Sequence, residues 1–284
     1  MIHIMSPVKS TRSPNTIYTA QGLGDRVHLI TIAWCLSNQY KQSVTLHLHK
    51  LQSIERKKKS FLEILELFPQ GNIQLKFHDL EPTSDFEFEN FIRDSGVNVC
   101  RIFYGDFPGW NEDLNGIDVS PLLGSVPILN LTTKKIDRKY VTSQWDTTGA
   151  KRRFRVDEVE RIISHYESEG FEVITVGGQA QEEIYRNSLR DIAKLISEAE
   201  FHIGVDSGFM HFAQLFLPPS KIHVYSKSNN FWSHHLFRGL KNGMKLNVHY
   251  KKISRLSLFL IRIRYTSPNV TRYLHKFRSK IGLS

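Results

Sequence analysis

The segment Phe201–Ala213, FHIGVDSGFMHFA, constrains the fold of this chain more than any other. Its short apolar run predicts a buried strand, and the apolar residues after Gly208 predict a helix. Asp206-Ser207-Gly208 therefore lies where a strand ends and a helix begins. Backbone N–H groups at such a junction can bind an anion, and a glycine there permits a close backbone approach.

Two side chains at this junction have alternative roles. Ser207 can cap the helix or donate a hydrogen bond to a ligand oxygen. His211 lies one turn further on, where it can face the same point or serve as a core histidine. The segment predicts a site for a phosphate or a sugar, with capping and core packing as the alternative.

Apolar runs alternate with amphipathic stretches along the chain, which predicts parallel sheets with helices on both faces, an α/β protein. Strands are predicted at Ile17–Ala20, Val44–His49, Ile73–His78, Val97–Phe103, Val126–Leu131, Phe171–Val176, Phe201–Val205 and Ile222–Tyr225. Helices are predicted at Asp25–Ser37, Ile54–Phe68, Val156–Glu169 and Asn187–Ala199.

A polar stretch between Leu131 and Lys151 predicts a crossing between two domains. We expect two Rossmann-like domains, 1–137 and 138–250, that face a cleft, because ligands bind open α/β sheets at the carboxyl ends of their strands. Residues 251–284 contain nine Lys and Arg and no acid, and they predict a basic helical segment. This segment either packs on the body with a solvated basic face or binds an anionic membrane surface.

The net charge of +10 is concentrated in the C-terminal part of the chain. After Asp206 there are 14 Lys and Arg and no Asp or Glu, which favours an anionic partner such as a nucleotide diphosphate, an acidic lipid or a nucleic acid. The sequence shows neither a signal peptide nor an apolar run of about 18–20 residues. Cys35 and Cys100 lie far apart and predict free thiols in a reducing compartment, hence a cytoplasmic protein.

A second glycine-rich turn, Gln21–Arg26, precedes the first predicted helix. Gly22 and Gly24 predict a tight turn with exposed N–H groups, although the pattern is neither a full dinucleotide-binding fingerprint nor a Walker loop. Asp25 at the helix start is either an N-terminal cap or a carboxylate able to take a proton from a hydroxyl group.

Two further loops contain candidate ligands. In QWDTTGAKRR, Lys151 or Arg152 could neutralise a diphosphate, and the alternative is a solvated loop. Gly177-Gly178-Gln179 follows a strand and could approach a ring or a ribose, or form an ordinary turn. His234 and His235 invite a metal interpretation, but no carboxylate or cysteine stands at ligand spacing beside them, so no metal is expected.

Taken in the order in which they occur along the chain, these motifs resemble the heptosyltransferases. That family comprises the inverting glycosyltransferases of family nine, which have the GT-B fold. The resemblance rests on Gly24-Asp25, on Lys151 or Arg152, on Gly177-Gly178, and on the Asp-Ser-Gly segment with His211. The stretch IAKLISEAEFHIGVDSGFMHFAQLF is the most specific match, and the resemblance covers about 17–226. The chain is short for the family, and its first domain, which would select the acceptor, is trimmed.

The resemblance implies a nucleotide-sugar donor bound mainly by the second domain and a glycan or lipid-linked acceptor bound by the first. Asp25 would be the general base. The leaving diphosphate would be stabilised by Ser207, Gly208, His211 and Lys151 or Arg152 in place of a metal. The donor is ADP-heptose or another sugar nucleotide, and the expected role is in lipopolysaccharide biosynthesis at the inner face of the membrane.

Two other functions remain open from the sequence. A chain of the same fold could be a nucleotide-sugar epimerase or hydrolase. Alternatively, the basic C-terminal part could make the chain a non-enzymatic module that binds a membrane or a nucleic acid. No recognised nucleic-acid motif is present, so nucleic acid is the less favoured partner.

Overall fold

The fold is described from a computed structural model of the chain. The structure describes residues 1–5, 22–50, 55–69, 72–101, 128–131, 138–147, 152–179, 184–185, 188–227 and 247–250. The predicted strand Ile17–Ala20, the candidate ligand Lys151, His234 and His235, and the basic segment 251–284 lie outside these residues.

The first 101 residues contain a sheet of parallel strands in the order β3-β2-β1-β4. In chain order the elements are β1 (Ile2–Met5), α1 (Leu23–Tyr40), β2 (Val44–Leu48), α2 (Glu55–Leu67), β3 (Ile73–Phe77), α3 (Asp85–Arg93) and β4 (Cys100–Arg101). All five residues of β2 are buried, as expected for a strand covered on both faces.

A second parallel sheet has the order β11-β10-β9-β5-β6, and β7 and β8 form a separate antiparallel pair. In chain order the elements are β5 (Tyr140–Gln144), α4 (Val156–Ser168), β6 (Glu172–Thr175), β7 (Gly178–Gln179), β8 (Ile184–Tyr185), α5 (Leu189–Glu198), β9 (Phe201–Val205), α6 (Gly208–Ala213), β10 (Ile222–Ser226) and β11 (Asn247–Tyr250). A short 3-10 helix, Pro219–Lys221, precedes β10.

Most predicted helices and strands are confirmed to within a few residues, and the predicted strand at Phe201–Val205 agrees at both ends. The elements that were not predicted include β1, α3, β5, β7, β8 and β11. The strand predicted at Val126–Leu131 is wrong over 128–131, which form no strand. There the N–H of Leu129 donates to the carbonyl of Leu215 at 2.7 Å, just after α6.

The polar stretch predicted to join two domains contains β5, a central strand of the second sheet. Its five residues are all buried although three of them are polar. Thr142 and Ser143 hydrogen-bond to His202 and Thr175 on the two neighbouring strands, at 3.0 and 3.2 Å. A buried strand with satisfied polar side chains does not show the apolar run that marks such strands in a sequence, so it was missed.

One hydrophobic core runs through both sheets. Buried side chains of α1 and α2 pack with those of α5 and α6 in a single cluster. Glu63 of α2 reaches the start of α5, where its Oε2 accepts the N–H of Leu189 at 3.1 Å. The chain is therefore an α/β protein with parallel sheets, while the domain boundary at residue 137 and the cleft remain predictions. No helix in the described ranges is long and apolar enough to span a membrane.

Candidate functional site

The two glycine-containing turns singled out in the sequence meet in space. A Cβ atom built on Gly208 would lie 2.7 Å from the backbone nitrogen of Gly24 and 2.8 Å from the Cβ of Leu23. A Cβ built on Gly24 would lie 2.8 Å from Cδ2 of His211. The N-terminal ends of α1 and α6 therefore touch at their glycines, and this contact joins parts of the chain more than 180 residues apart in sequence.

Asp25 occupies the first turn of α1 and is partly buried. Its Oδ2 accepts the backbone N–H of Gly22 at 2.7 Å, so the capping role considered for this residue is present. The hydrogen bond also fixes the orientation of the carboxylate at the start of α1. Its role as a general base remains a prediction.

Ser207 is the N-cap residue of α6, but its side chain makes no capping hydrogen bond. Its hydroxyl group instead donates to Oε1 of Gln144 at 2.6 Å, in a buried position. Gln144, the last residue of β5, also donates through Nε2 to the carbonyl of Asp146. Both the oxygen and the nitrogen of the Gln144 amide are therefore hydrogen-bonded, and the amide fixes Ser207 against the end of β5.

Arg152 reaches the Asp-Ser-Gly turn. Its Nη1 donates to the backbone carbonyl of Asp206 at 2.8 Å and lies 3.7 Å from Oδ2 of the same residue. The arginine side chain keeps 39% of its surface exposed, whereas the aspartate side chain keeps 6%. The structure therefore brings a partly exposed cation to the junction predicted to bind phosphate.

His211 contacts a histidine that lies outside the sequence motifs. Nδ1 of His211 lies 3.2 Å from Nε2 of His28 on α1, and the two rings meet edge to face with centroids 4.8 Å apart. Burial lowers the pKa of His211 to about 4, with Asp206 raising it and Arg152 lowering it. Burial and then His211 also lower the pKa of His28 well below its usual value, so both rings are neutral near pH 7.

A signal for His28 was present in the sequence. It stands four residues after Gly24 in an otherwise apolar helical run, as His211 stands three residues after Gly208. Residues at these spacings lie one turn along a helix, on the same face as its first residues. The symmetry between the two turns could have identified the pair.

Gly177 follows β6 and has a φ of +87°, a conformation that favours glycine. A Cβ there would lie 3.0 Å from Cε2 of Phe209 and 3.3 Å from Cγ of Gln144. Backbone conformation and packing therefore already require glycine at this position. Gly178 and Gln179 form β7, and a ligand role for the three residues stays a prediction.

Within the described ranges, no group of three or more His, Cys, Asp and Glu side chains could hold a metal ion. This finding covers the Asp206–His211 junction and the Gly22–Asp25 turn. Metal independence of the chain remains a prediction.

No protein-family model matches the chain, and no curated protein matches it in sequence. Solved structures are similar to it. The iron-containing dodecameric glycosyltransferase TibC from enterotoxigenic E. coli H10407 is 16% identical, with a TM-score of 0.48 over 80% of this chain. The chain spans 58% of the TibC chain.

Two further structures match over most of both chains. A family 9 glycosyl transferase from Veillonella parvula is 12% identical, with a TM-score of 0.49 over 93% of this chain and 91% of that one. The ADP-heptose lipopolysaccharide heptosyltransferase II of E. coli is 11% identical, with a TM-score of 0.49 over 90% of this chain and 91% of that one. Both proteins are members of the group that the sequence motifs resemble.

Proposed function

We propose that the chain is a glycosyltransferase that moves a sugar from a nucleotide-diphosphate donor to a hydroxyl group, with inversion and without a metal. The observation that carries this proposal is the contact between the Gly22–Asp25 turn and the Asp206–His211 junction. It brings the turn that contains Asp25 against the junction that contains His211, although the sequence separates these segments widely. These segments contain groups that a sugar transfer of this kind requires.

The donor diphosphate is assigned to the Asp206–His211 side. Arg152 is held there by the carbonyl of Asp206 and keeps an exposed part of its guanidinium for phosphate oxygens. His211 supplies a further ring nitrogen, and Ser207 and Gly208 form the adjoining turn. Lys151, next to Arg152 in sequence, is assigned to the same diphosphate, and Gly177, Gly178 and Gln179 to the nucleoside or the sugar.

The proposed reaction begins at Asp25. Its carboxylate takes the proton of the acceptor hydroxyl group as that oxygen forms a bond to the anomeric carbon of the donor sugar. The bond between the anomeric carbon and the diphosphate oxygen breaks on the opposite face, and its electron pair leaves with the diphosphate. Positive charge and hydrogen-bond donors around Arg152 and His211 stabilise the negative charge that develops there.

The donor sugar nucleotide is proposed to be ADP-heptose or a related compound, and the acceptor a surface glycan or a lipid-linked glycan. One TibC structure is a complex with ADP-D-β-D-heptose, so this compound is tested first. We further propose lipopolysaccharide biosynthesis in the cytoplasm as the setting. The basic residues 251–284 would hold the enzyme at the inner face of the membrane.

The first experiment identifies the donor. The full chain is screened by thermal unfolding against ADP-, GDP-, UDP- and CMP-sugars, because a ligand that binds only the folded state raises the apparent stability by mass action. A rise in melting temperature with one nucleotide class names the donor. If no sugar nucleotide stabilises the chain while DNA, RNA or anionic vesicles bind in a salt-dependent manner, the non-enzymatic alternative is correct.

The second experiment tests the base. Asp25→Asn keeps an oxygen that can accept the N–H of Gly22 but cannot take a proton, so folding and donor binding should persist. Transfer to an extracted glycolipid acceptor should fall by roughly 10²–10⁴-fold. Asp157→Asn, a first-turn aspartate of α4, is the matched control and should leave turnover unchanged.

Two outcomes would contradict the proposal. Wild-type turnover in Asp25→Asn would remove the residue from its assigned role as base. Formation of an altered sugar nucleotide or a free sugar without any acceptor would instead identify an epimerase or a hydrolase.

A further inference from the structure

We propose that His28 is a positioning residue that donates its Nε2–H to Nδ1 of His211 and thereby makes His211 an Nε2–H donor toward the diphosphate. This inference rests on the proposed function, since it takes the anion at the Asp206–His211 junction as given. It adds a residue of α1 to the binding machinery of the second sheet and assigns one tautomer to each ring.

The geometry supports a single directed hydrogen bond between the rings. The two nitrogens are 3.2 Å apart, and the edge-to-face arrangement at 66° lets an N–H of one ring point at a nitrogen of the other. The close approach of the helices depends on glycine, since a Cβ at Gly24 would come within 2.8 Å of Cδ2 of His211. Gly24 and Gly208 thus permit the histidine contact as well as the helix contact.

Tautomers follow from counting protons. Both rings are neutral near pH 7, so each carries one N–H and one nitrogen lone pair. If His28 donates, then Nδ1 of His211 is the acceptor and its Nε2 carries the proton. If His211 donates instead, its Nε2 presents a lone pair, which repels the oxygens of an anion.

The surroundings of His211 favour the first arrangement. Its Cδ2 and Cγ are the ring atoms that a Cβ at Gly24 would approach most closely, so the ring packs against the Gly24 turn through that edge. The residue is partly exposed, and Asp206 and Arg152 are the charged groups that influence it. Because Nδ1 is directed at His28, Nε2 is the ring nitrogen left for an anion, and an N–H there would bind a phosphate oxygen whereas a lone pair would not.

Tautomers are measured directly by long-range ¹H–¹⁵N NMR on the full chain labelled with ¹⁵N-histidine. We expect Nε2–H signals for both His28 and His211 without any ligand. In His28→Leu the assigned donor is lost, and His211 should shift toward a mixture of tautomers. His28→Gln offers an amide N–H near the position of Nε2 and should restore the wild-type pattern.

Binding is measured by calorimetry with inorganic pyrophosphate and with ADP as probes. His28→Leu should lower the affinity for each probe by roughly tenfold, the loss expected for one hydrogen bond to a charged group. His28→Gln should recover most of this affinity. The double variant His28→Leu/His211→Ala should bind no more weakly than His211→Ala alone, because His28 acts only through His211.

Several results would overturn the inference. They are an Nδ1–H tautomer of His211 in the wild type, additive effects in the double variant, or a wild-type chain that binds neither probe. A purely structural role would lower the melting temperature of His28→Leu without changing the tautomer of His211. If His28→Leu does not fold, the tautomer of His211 in the wild type and in His28→Gln still tests the inference.

Failure of the proposed function gives a different pattern. A chain with the expected tautomers and the expected loss of pyrophosphate binding, but with no sugar transfer, would refute the glycosyltransferase and keep the histidine pair. Sugar transfer with an Nδ1–H tautomer of His211 would refute the role of His28 and keep the glycosyltransferase.

Discussion

Gly24 and Gly208 have a role at the scale of single residues that a sequence motif does not reveal. Gly208 was selected because glycine lets the backbone approach a ligand, and Gly24 because it predicts a tight turn with exposed N–H groups. The structure shows that they also let two helices approach each other. The two reasons are compatible, because the same contact brings His28 to His211. A glycine at a site can therefore be required by packing before any ligand is considered.

Gly208→Ala tests this packing role. The added methyl group would lie 2.7 Å from the backbone nitrogen of Gly24, and backbone cannot move aside as a flexible side chain can. We expect a loss of about 1–3 kcal/mol in the free energy of unfolding, measured by urea titration. Gly22→Ala is the control, since the nearest atom to its Cβ is Oδ2 of Asp25 at 3.9 Å. Equal losses in the two variants would argue against the helix contact.

The elements themselves show where sequence patterns succeed. The amphipathic helices α4 and α5 and the apolar strand β9 were predicted because burial on one face or on both leaves a periodic or continuous apolar signal. In β5 the buried positions are filled by polar side chains whose partners lie on other strands. A local pattern does not contain those partners, so β5 was assigned to a domain crossing.

One of those partners makes the pairing of β5 and β9 sensitive to pH. His202 of β9 is buried, contacts Thr142 of β5, and has a pKa lowered by burial to about 3. The unfolded chain binds a proton at this histidine near pH 6.5, whereas the folded chain does not. The unfolded state therefore holds more protons between pH 6.5 and 3, and stability falls as the pH falls through this range.

His202→Asn removes this contribution and keeps a polar atom near the position of Nδ1. Between pH 4 and 6 the slope of unfolding free energy against pH should decrease by up to about 1.4 kcal/mol per pH unit, the value for one proton. Urea titrations at several pH values measure the slope. An unchanged slope in His202→Asn would refute the assignment.

At the scale of the whole molecule, the continuous core ties the two sheets together. Buried side chains of α1 and α6 belong to one cluster, and Glu63 joins α2 to the start of α5. We infer that the sheets unfold together, because separating them would expose apolar surface from both. The sequence pattern predicts two domains facing a cleft and contains no sign of this shared packing.

Phe212→Ala tests the coupling. Phe212 is fully buried in α6, and its truncation should reduce the free energy of unfolding by about 3–5 kcal/mol. Hydrogen exchange should then show similar losses of protection in β2 of the first sheet and in β9 of the second. Leu62→Ala, at a partly exposed position of α2, should have a much smaller effect. A loss confined to β9 would mean that the sheets unfold independently.

The sequence by itself determined the α/β class, most helix positions, the Asp-Ser-Gly junction and the resemblance to the heptosyltransferases. These depend on local periodicity and on residue types that stand next to one another. Only the tertiary structure decided that Gly24 meets Gly208, that His28 contacts His211, that Ser207 bonds to Gln144, and that β5 is a central strand. Those contacts join distant segments through packing and hydrogen bonds, and their partners do not lie within any local window of the chain.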